Sequence, residues 1–298
     1  MLPRVPEAVV EPARRQRLAG LFSAAVSLAL LVIVGLQFRH MDRAAIAALI
    51  PHRAGFWAAF AGYYLAAPLS EWWIYRKLWT IPLAGIGALL RKLVSNELLL
   101  GYLGEAQFYA WARSRLVMTG TPFGAIKDVT ILSALTGNIA TLLMLGLAWP
   151  FVSSGELGME LHATFASLGV VLITSFAILL FRQKLFTLPR RQLWFIAGVH
   201  SVRIVAVLGL AAAMWHLVLP DVALEMWLVL ATLRMLLSRL PFIPNKDVVF
   251  AGMAVFLLGR ELQIADLMTM MAALLLVTHL LVGAVFGGAD LLQSWRKR

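Results

Sequence analysis

The sequence contains no cysteine, and only 14% of its 298 residues are charged. The absence of cysteine excludes disulfide frameworks, thiol catalysis and cysteine-ligated metal sites. Soluble domains carry about 25% charged residues, and the hydrophobic fraction here reaches 61%, so a soluble globular protein is excluded. The charge is mostly of one sign, with 26 Lys and Arg against 15 Asp and Glu. A basic and strongly apolar chain indicates anionic lipid, and not nucleic acid, as its partner.

Enzyme signatures are scarce as well. The chain has no nucleophile elbow, no Walker-type phosphate loop and no His-Glu-x-x-His motif. Its six histidines show no spacing typical of metal ligands. We therefore predict neither a cofactor nor a metal site, and no catalytic residue is assigned.

Six apolar stretches are long enough to cross a hydrocarbon core about 30 Å thick. They are Leu18–Phe38, Gly55–Tyr75, Ile131–Trp149, Thr164–Phe181, Leu193–Leu217 and Ile264–Phe286. The first stretch is longer than the apolar region of a signal peptide, and no small-residue cleavage site follows it. We expect it to be a retained transmembrane helix.

Two further apolar regions are interrupted. Polar residues and glycines break Leu93–Leu116, and the segment Arg-Leu-Pro-Phe-Ile-Pro-Asn-Lys-Asp at 239–247 breaks Val222–Leu258. A helix of about 11 residues rises only about 16 Å, half of a bilayer, so each region is predicted to be a re-entrant hairpin shielded from lipid. For the second region the alternative is two ordinary spans joined by an inner loop, which gives eight spans in all.

Basic residues fall mostly on one side of this arrangement, which predicts cytoplasmic N- and C-termini. The predicted inner face collects Arg4, Arg14, Arg15, Arg17, Arg76, Lys77, Arg91, Lys92, Arg113, Arg115, Lys127, Arg182, Lys184, Arg190, Arg191, Arg296, Lys297 and Arg298, whereas the outer face has only Arg39, Arg43, Arg53 and Arg260. Residues 18–150 and 164–287 then form inverted repeats of span, span, hairpin and span, as in transporters with a site near the midplane. The chain is predicted to be one all-α membrane domain, 1–298, with a cytoplasmic arm over 1–17.

Charged residues inside the predicted membrane region are the strongest functional signal. Arg203, Arg234, Arg239 and Lys246 would each cost about 2.5 to 3.5 kcal/mol there unless they face a partner or a wet cavity. The planar fork of arginine suits phosphate, so a lipid headgroup is a natural partner. The alternatives are snorkelling for Arg234, an inner loop for Arg239 and Lys246, and a structural ion pair with Glu71 for Arg203.

Three acidic residues, Glu71, Glu97 and Glu105, fall in the same predicted interior. A buried carboxylate could pair with the arginines, bind a cation or carry a proton. Glu105 is the preferred candidate because Gly104 permits an irregular backbone at the hairpin tip, whereas Glu71 could equally pair with Arg76 near the inner surface.

Two patches carry a family resemblance. Residues 101–113 read Gly-Tyr-Leu-Gly-Glu-Ala-Gln-Phe-Tyr-Ala-Trp-Ala-Arg, and residues 239–244 read Arg-Leu-Pro-Phe-Ile-Pro. They are similar to the Gly-Glu, aromatic, Ala-Arg stretch and the late Pro-x-x-Pro motif of the transmembrane domain of lysylphosphatidylglycerol synthases and its stand-alone relatives, a family of lipid flippases. The resemblance implies re-entrant segments that move a lipid with a charged or glycosylated headgroup between leaflets of the bacterial inner membrane.

Residue by residue, the resemblance points to functional side chains and hinges within the two patches. These are Glu105, Arg113 and Arg239, with Gly101, Gly104, Pro241 and Pro244 as structural hinges. The family continues after the second proline with glycines and an acidic residue, whereas this chain has Asn245, Lys246 and Asp247. A lysine side chain thus stands where glycines would present backbone amides. Because only 12 residues follow Phe286, we do not expect this chain to synthesise an aminoacyl-lipid.

The sequence therefore predicts an inner-membrane lipid translocase. Its headgroup-binding residues are Glu105, Arg113, Arg203, Arg234, Arg239 and Lys246. The predicted partners are anionic membrane lipids and enzymes of envelope-lipid synthesis, and movement would use a gradient, the membrane potential or downhill flow. Two alternatives remain: a membrane-embedded transferase that uses Glu105 as base and the arginines as phosphate clamps, and a non-catalytic partner of an envelope-lipid pathway.

Overall fold

The computed structural model describes residues 51–99, 103–116, 122–153, 173, 185–238, 246–247, 250–251 and 263–296. Within these ranges the chain is all-helical, without strands, which confirms the predicted class. The helices are α1 (Ala54–Trp79), α2 (Ala84–Leu98), α3 (Leu103–Arg115), α4 (Phe123–Ser153), α5 (Arg190–Val218), α6 (Leu224–Ser238) and α7 (Gln263–Arg296). The predicted span Leu18–Phe38 lies outside the described residues, as do Thr164–Phe181 apart from Ile173, and Gly101, Arg239, Pro241 and Pro244.

Three of the helices are long and apolar enough to cross a membrane. They comprise Phe123–Leu147 in α4, all of α5 and Leu267–Phe286 in α7, with mean hydropathies of 1.7, 1.9 and 2.1. They overlap the predicted spans Ile131–Trp149, Leu193–Leu217 and Ile264–Phe286. Helices of this length and hydropathy are those of a membrane protein. Helix α1, with 26 residues, rises about 39 Å and is also long enough, but Glu71, Arg76 and Lys77 make its second half less apolar.

A sharp turn separates α1 from α2. Thr80 adopts the left-handed conformation, with φ at 51°, and its N–H donates to the Arg76 carbonyl at 2.9 Å, which ends α1. The N–H groups of Gly85 and Ile86 then bond to the carbonyls of Pro82 and Leu83, which begins α2. The paired region therefore starts at Ala84 and not at the predicted Leu93, because Pro82 starts a new helix inside an apolar run.

Helices α2 and α3 form a short helical hairpin. Their 15 and 13 residues rise about 22 and 20 Å, less than the core of a bilayer. In the middle of the pair, the Ser95 hydroxyl donates to Gln107 Oε1 at 2.7 Å. At the tip, the Gly104 N–H donates to Asn96 Oδ1 at 2.7 Å, so the side chain of one helix holds the start of the other.

Gly104 is the position where this hairpin tolerates no side chain. A Cβ atom there would overlap the Lys92 carbonyl and lie 2.7 Å from Asn96 Oδ1. We expect Gly104→Ala to lower the free energy of unfolding by about 1 to 3 kcal/mol, since backbone must shift to admit the methyl group. Reversible unfolding in mixed detergent micelles, followed by circular dichroism, measures the change.

Gly198 supplies the matched control for that substitution. It lies within α5, and a Cβ atom there has nothing within 4 Å. Gly198→Ala should leave stability unchanged or raise it by up to about 1 kcal/mol, through helix propensity alone. Equal effects of the two substitutions would show that the close approach of α2 and α3 is wrong.

Residues 246–247 and 250–251 lie beside α6. Lys246 Nζ donates to the Ser238 carbonyl at 2.9 Å, which places residue 246 beside the end of the helix. Phe250 and Ala251 are buried in the same hydrophobic cluster as Leu230 and Leu233 of α6. These described residues therefore pack against α6, and Phe250 and Ala251 belong to the same core.

The described helices pack around two large apolar cores, and a third, small cluster joins α2 to α7. The larger core joins α1, α5, α6 and α7, and the smaller joins α1, α2 and α3 to the starts of α4 and α5. Arg53 Nη1 donates to the Leu217 carbonyl at 3.1 Å, so the start of α1 lies beside the end of α5 and the two run antiparallel. These contacts hold the short hairpin α2–α3 between long helices.

A buried carboxylate fastens α4 to the segment that precedes α5. Asp128 Oδ2 accepts hydrogen bonds from Thr187 N at 2.7 Å, Thr187 Oγ1 at 2.9 Å and Leu188 N at 2.8 Å. These donors satisfy Oδ2 of a carboxylate that has no exposed surface, whereas its Oδ1 has no hydrogen-bond partner and lies 3.5 Å from Lys127 Nζ. Asp128 is thus a structural residue that sets the position of α5.

Candidate functional site

Polar side chains meet in two places inside the helical packing. The first, named here the carboxylate–lysine cluster, consists of Glu71, Lys92 and Glu105. The second, the arginine–aspartate cluster, consists of Tyr63, Arg234 and Asp247. Each cluster joins a short helical element to α1, and each contains at least one residue that the sequence singled out.

In the carboxylate–lysine cluster one ammonium group bridges two carboxylates. Lys92 Nζ lies 2.8 and 2.7 Å from the two oxygens of Glu71 and 3.3 Å from Glu105 Oε1. The side chains of Lys92, Glu71 and Glu105 are only 6, 13 and 18% exposed. The cluster ties α1, α2 and α3 together and carries one more negative than positive charge.

The position of Lys92 differs clearly from the one that the sequence predicts. Lys92 was predicted among the basic residues of the inner face, but the structure buries it. The reason is the early start of α2 at Ala84, which rises about 12 Å before it reaches residue 92. The ammonium group therefore falls between helices, where two carboxylates neutralise it, and Glu71 pairs with Lys92 and not with Arg76.

Further polar groups surround this cluster. Asn96 Nδ2 donates to Glu105 Oε2 at 3.1 Å. The Tyr75 hydroxyl and Gln107 Nε2 are buried without hydrogen-bond partners. The carboxylates of Glu71 and Glu105 both act electrostatically on Tyr75. Unsatisfied buried donors are uncommon in native structures, so the surroundings of Glu105 contain unused hydrogen-bonding capacity.

Arg203 approaches the first cluster from α5. Its Nη2 donates to Ser133 Oγ of α4 at 3.0 Å, and the charge of Glu71 acts on it without a direct ion pair. Arg203 also lines an apolar groove of about 640 Å³ between α1 and α5. The predicted alternative of a Glu71–Arg203 contact pair is therefore not what the structure has, although the two charges are neighbours.

In the arginine–aspartate cluster the guanidinium of Arg234 grips one carboxylate oxygen. Its Nε and Nη2 lie 2.8 and 2.7 Å from Asp247 Oδ1. The guanidinium also lies over the ring of Tyr63, with Cζ 5.4 Å from the ring centroid. The Arg234 side chain is thus partly buried, with 27% of its surface exposed, and its partners are a carboxylate and an aromatic face.

A small cavity adjoins this ion pair. It measures about 20 Å³ and is lined by Tyr63, Arg234 and Asp247 on one side and by apolar residues of α5 and α7 on the other. That volume holds about one water molecule. At this cavity the polar residues and the apolar residues are therefore not fully packed against each other.

Glu97 belongs to neither cluster, but charged groups near the second cluster act on it. It lies in the last turn of α2, and the charges of Asp247, Lys246 and Arg234 act on it. No hydrogen bond or ion pair holds its carboxylate among the described residues. Since α2 also carries Lys92, one short helix reaches from the first cluster to the electrostatic field of the second.

The structure separates the remaining predicted site residues. Arg113 lies in the last turn of α3, where its Nη1 donates to the Tyr109 hydroxyl at 3.4 Å. Arg234 lies in one cluster and Glu105 in the other. Lys246 bonds to the Ser238 carbonyl at the end of α6, and Arg239 falls outside the described residues. Within the described ranges, no three His, Asp or Glu side chains come together in a way that could hold a metal ion.

Sequence reasoning missed Lys92, Tyr63 and the pairing of Asp247 with Arg234. A usable signal existed for the last of these, because Arg234 and Asp247 are equally far from the centre of the predicted hairpin, between Leu240 and Pro241. Ser95 and Gln107 are likewise each six residues from Gly101. Positions equidistant from a hairpin tip face one another, whereas nothing local marks Tyr63 as a partner.

Comparison with known proteins adds no relative: no family model, no curated protein and no solved structure matches this sequence.

Proposed function

We propose that this protein is a lipid translocase that carries an anionic or glycosylated headgroup across the membrane between two opposed re-entrant hairpins. The observation that supports the proposal is electrostatic: the charges of Arg234, Lys246 and Asp247 act on Glu97 of the short α2–α3 hairpin. Charged groups at such depth are costly unless they serve a polar substrate or pair with each other.

Helix lengths support the opposed arrangement. Glu97 lies 13 residues after Ala84, a rise of about 20 Å, and Arg234 lies 10 residues after Leu224, a rise of about 15 Å. If α2 starts at one face of the membrane and α6 at the other, both residues fall near the middle of a core about 30 Å thick. This is the position of the substrate site in transporters built from inverted repeats.

The arginine–aspartate cluster supplies the chemistry for an anionic headgroup. Arg234 is held by Asp247, and phosphate oxygens suit its planar fork as well as a carboxylate does. The adjoining cavity of about 20 Å³ has room for about one water molecule, so the hairpins must separate before a headgroup can bind. Acyl chains would remain in the bilayer along apolar grooves such as the one between α1 and α5.

A headgroup-accessibility assay tests the proposal. The purified protein is reconstituted into vesicles that contain tracer phosphatidylglycerol, phosphatidylethanolamine or a polyprenyl-linked sugar, and the outer-leaflet fraction is measured over time. The proposal expects faster redistribution of at least one tracer than in protein-free vesicles. Unchanged redistribution of all three tracers would contradict it, and a chemically altered lipid detected by mass spectrometry would favour the transferase.

A further inference from the structure

The carboxylate–lysine cluster has a charge imbalance. Among the residues that the structure describes, two carboxylates share one ammonium, and Arg203 donates to Ser133 without a contact ion pair to Glu71. An uncompensated charge away from water is expensive, and buried carboxylates respond by binding a proton or a cation. The cluster is thus built to hold one additional positive charge.

The two carboxylates are not held equally. Both oxygens of Glu71 lie within 2.8 Å of Lys92 Nζ, whereas Glu105 has one contact of 3.3 Å to Lys92 and one of 3.1 Å to Asn96. Protonation of Glu105 would leave the tight Lys92–Glu71 pair intact and neutral. Glu105 is therefore the group that can change its charge at the lower cost.

An independent feature indicates a proton ligand at this place. The hydroxyl of Tyr75, which has no exposed surface, and the Nε2 group of Gln107, which is also buried, lack hydrogen-bond partners. Both charges, that of Glu71 and that of Glu105, reach Tyr75. A protonated Glu105 needs a hydrogen-bond acceptor, and the unpartnered Tyr75 hydroxyl can serve as one, whereas the Gln107 amide nitrogen can only donate.

The titratable and charged neighbours of the cluster lie on the helices packed around it. They are Glu71 and Tyr75 on α1, Lys92 on α2, Glu105 on α3, and His200 and Arg203 on α5. On α4, Asp128 is occupied by Thr187 and Leu188, and α7 packs on α2 through Leu280 and Phe286. A metal cation would have to displace the Lys92 ammonium from between the carboxylates, so a proton is the better-suited ligand.

We infer that Glu105 binds and releases the proton that couples lipid movement to the proton gradient. This inference rests on the proposed translocase function for its consequence, but not for proton binding itself. Protonation converts the Glu105 carboxylate to a carboxylic acid and weakens its attraction to Lys92. The contact between α3 and α2 then weakens. Glu97, on the same helix as Lys92, shifts relative to Arg234 and Lys246.

Infrared spectroscopy tests proton binding without any lipid substrate. Difference spectra between acidic and alkaline pH are recorded for the full chain in lipid nanodiscs. Wild type should show the carbonyl band of a buried protonated carboxylic acid, and Glu105→Gln should abolish it. Asp221→Asn, which changes an exposed carboxylate between α5 and α6, should keep the band.

Three outcomes of the spectroscopy would overturn the inference. They are a band that persists in Glu105→Gln, a band lost only in Glu71→Gln, and a band that sodium ions change at constant pH.

Lipid redistribution in vesicles tests the coupling. An imposed pH gradient should change the wild-type rate several-fold, whereas Glu105→Gln should move lipid at one rate with or without the gradient. A Glu105→Gln protein that still responds to the gradient would contradict the inference. If wild type moves no lipid, the proposed function fails, and the infrared band still decides whether Glu105 takes up the proton.

Discussion

Replacing Lys92 with methionine should lower the free energy of unfolding by about 3 to 5 kcal/mol, because two carboxylates then face each other without a counter-ion. The ammonium of Lys92 lies within 3.3 Å of both Glu71 and Glu105, and all three side chains are mostly buried. Removing one partner of a buried pair costs more than the pair itself contributes. The expected loss is large enough to be seen as reduced yield and as a lower unfolding midpoint in mixed micelles.

Two further variants separate the charge effect from lost packing. The triple variant Lys92→Met, Glu71→Gln, Glu105→Gln should recover most of the lost stability, since no charge remains in the cluster. Lys77→Met, at the exposed end of α1, should cost less than about 1 kcal/mol. A Lys92→Met protein as stable as Lys77→Met would show that the cluster is not buried as described.

Replacing Arg234 should abolish lipid movement. Arg234→Lys keeps the positive charge but loses the fork that holds Asp247 at 2.7 and 2.8 Å. The loss of one charge-assisted hydrogen bond, worth about 1.5 to 3 kcal/mol, corresponds to a rate lower by roughly 10- to 100-fold. Arg234→Met removes the charge as well and should reduce redistribution to the rate of protein-free vesicles.

A double variant guards against simple misfolding in this experiment. Arg234→Leu with Asp247→Leu removes both charges, so no unpaired group stays buried, and the protein should fold yet move no lipid. Arg53→Gln, at the start of α1 where Arg53 bonds to the Leu217 carbonyl, should fold and keep wild-type movement. Wild-type movement in the double variant would refute a role of Arg234 in headgroup binding.

Hydropathy was sufficient to predict the long helices. The spans Ile131–Trp149, Leu193–Leu217 and Ile264–Phe286 coincide with helices that are long and apolar enough to cross a membrane. Each of these spans contains more than 18 mostly apolar residues, so the hydropathy signal is an average over many side chains. The interruption near Gly104 likewise predicted that two short helices replace one long helix.

The positions of the charged side chains were harder to predict. A sequence gives the height of a residue along its helix but not the direction in which the side chain faces, because that depends on which helices are neighbours. Lys92 meets Glu71 across 21 residues of sequence, and no local pattern connects them. The start of α2 was missed for a related reason, since Pro82 lies within an apolar run that gives no change in hydropathy.

Chemical cross-linking between Glu97 and Lys246 tests most directly whether the two hairpins meet inside the membrane. The chain has no cysteine, so Glu97→Cys with Lys246→Cys introduces the only two thiols, and a short membrane-permeant bis-maleimide can join them. We expect efficient intramolecular cross-linking of this pair and none of Glu97→Cys with Arg53→Cys. The absence of a cross-link, together with rapid reaction of Lys246→Cys with an impermeant thiol reagent, would contradict the opposed hairpins on which the translocation site depends.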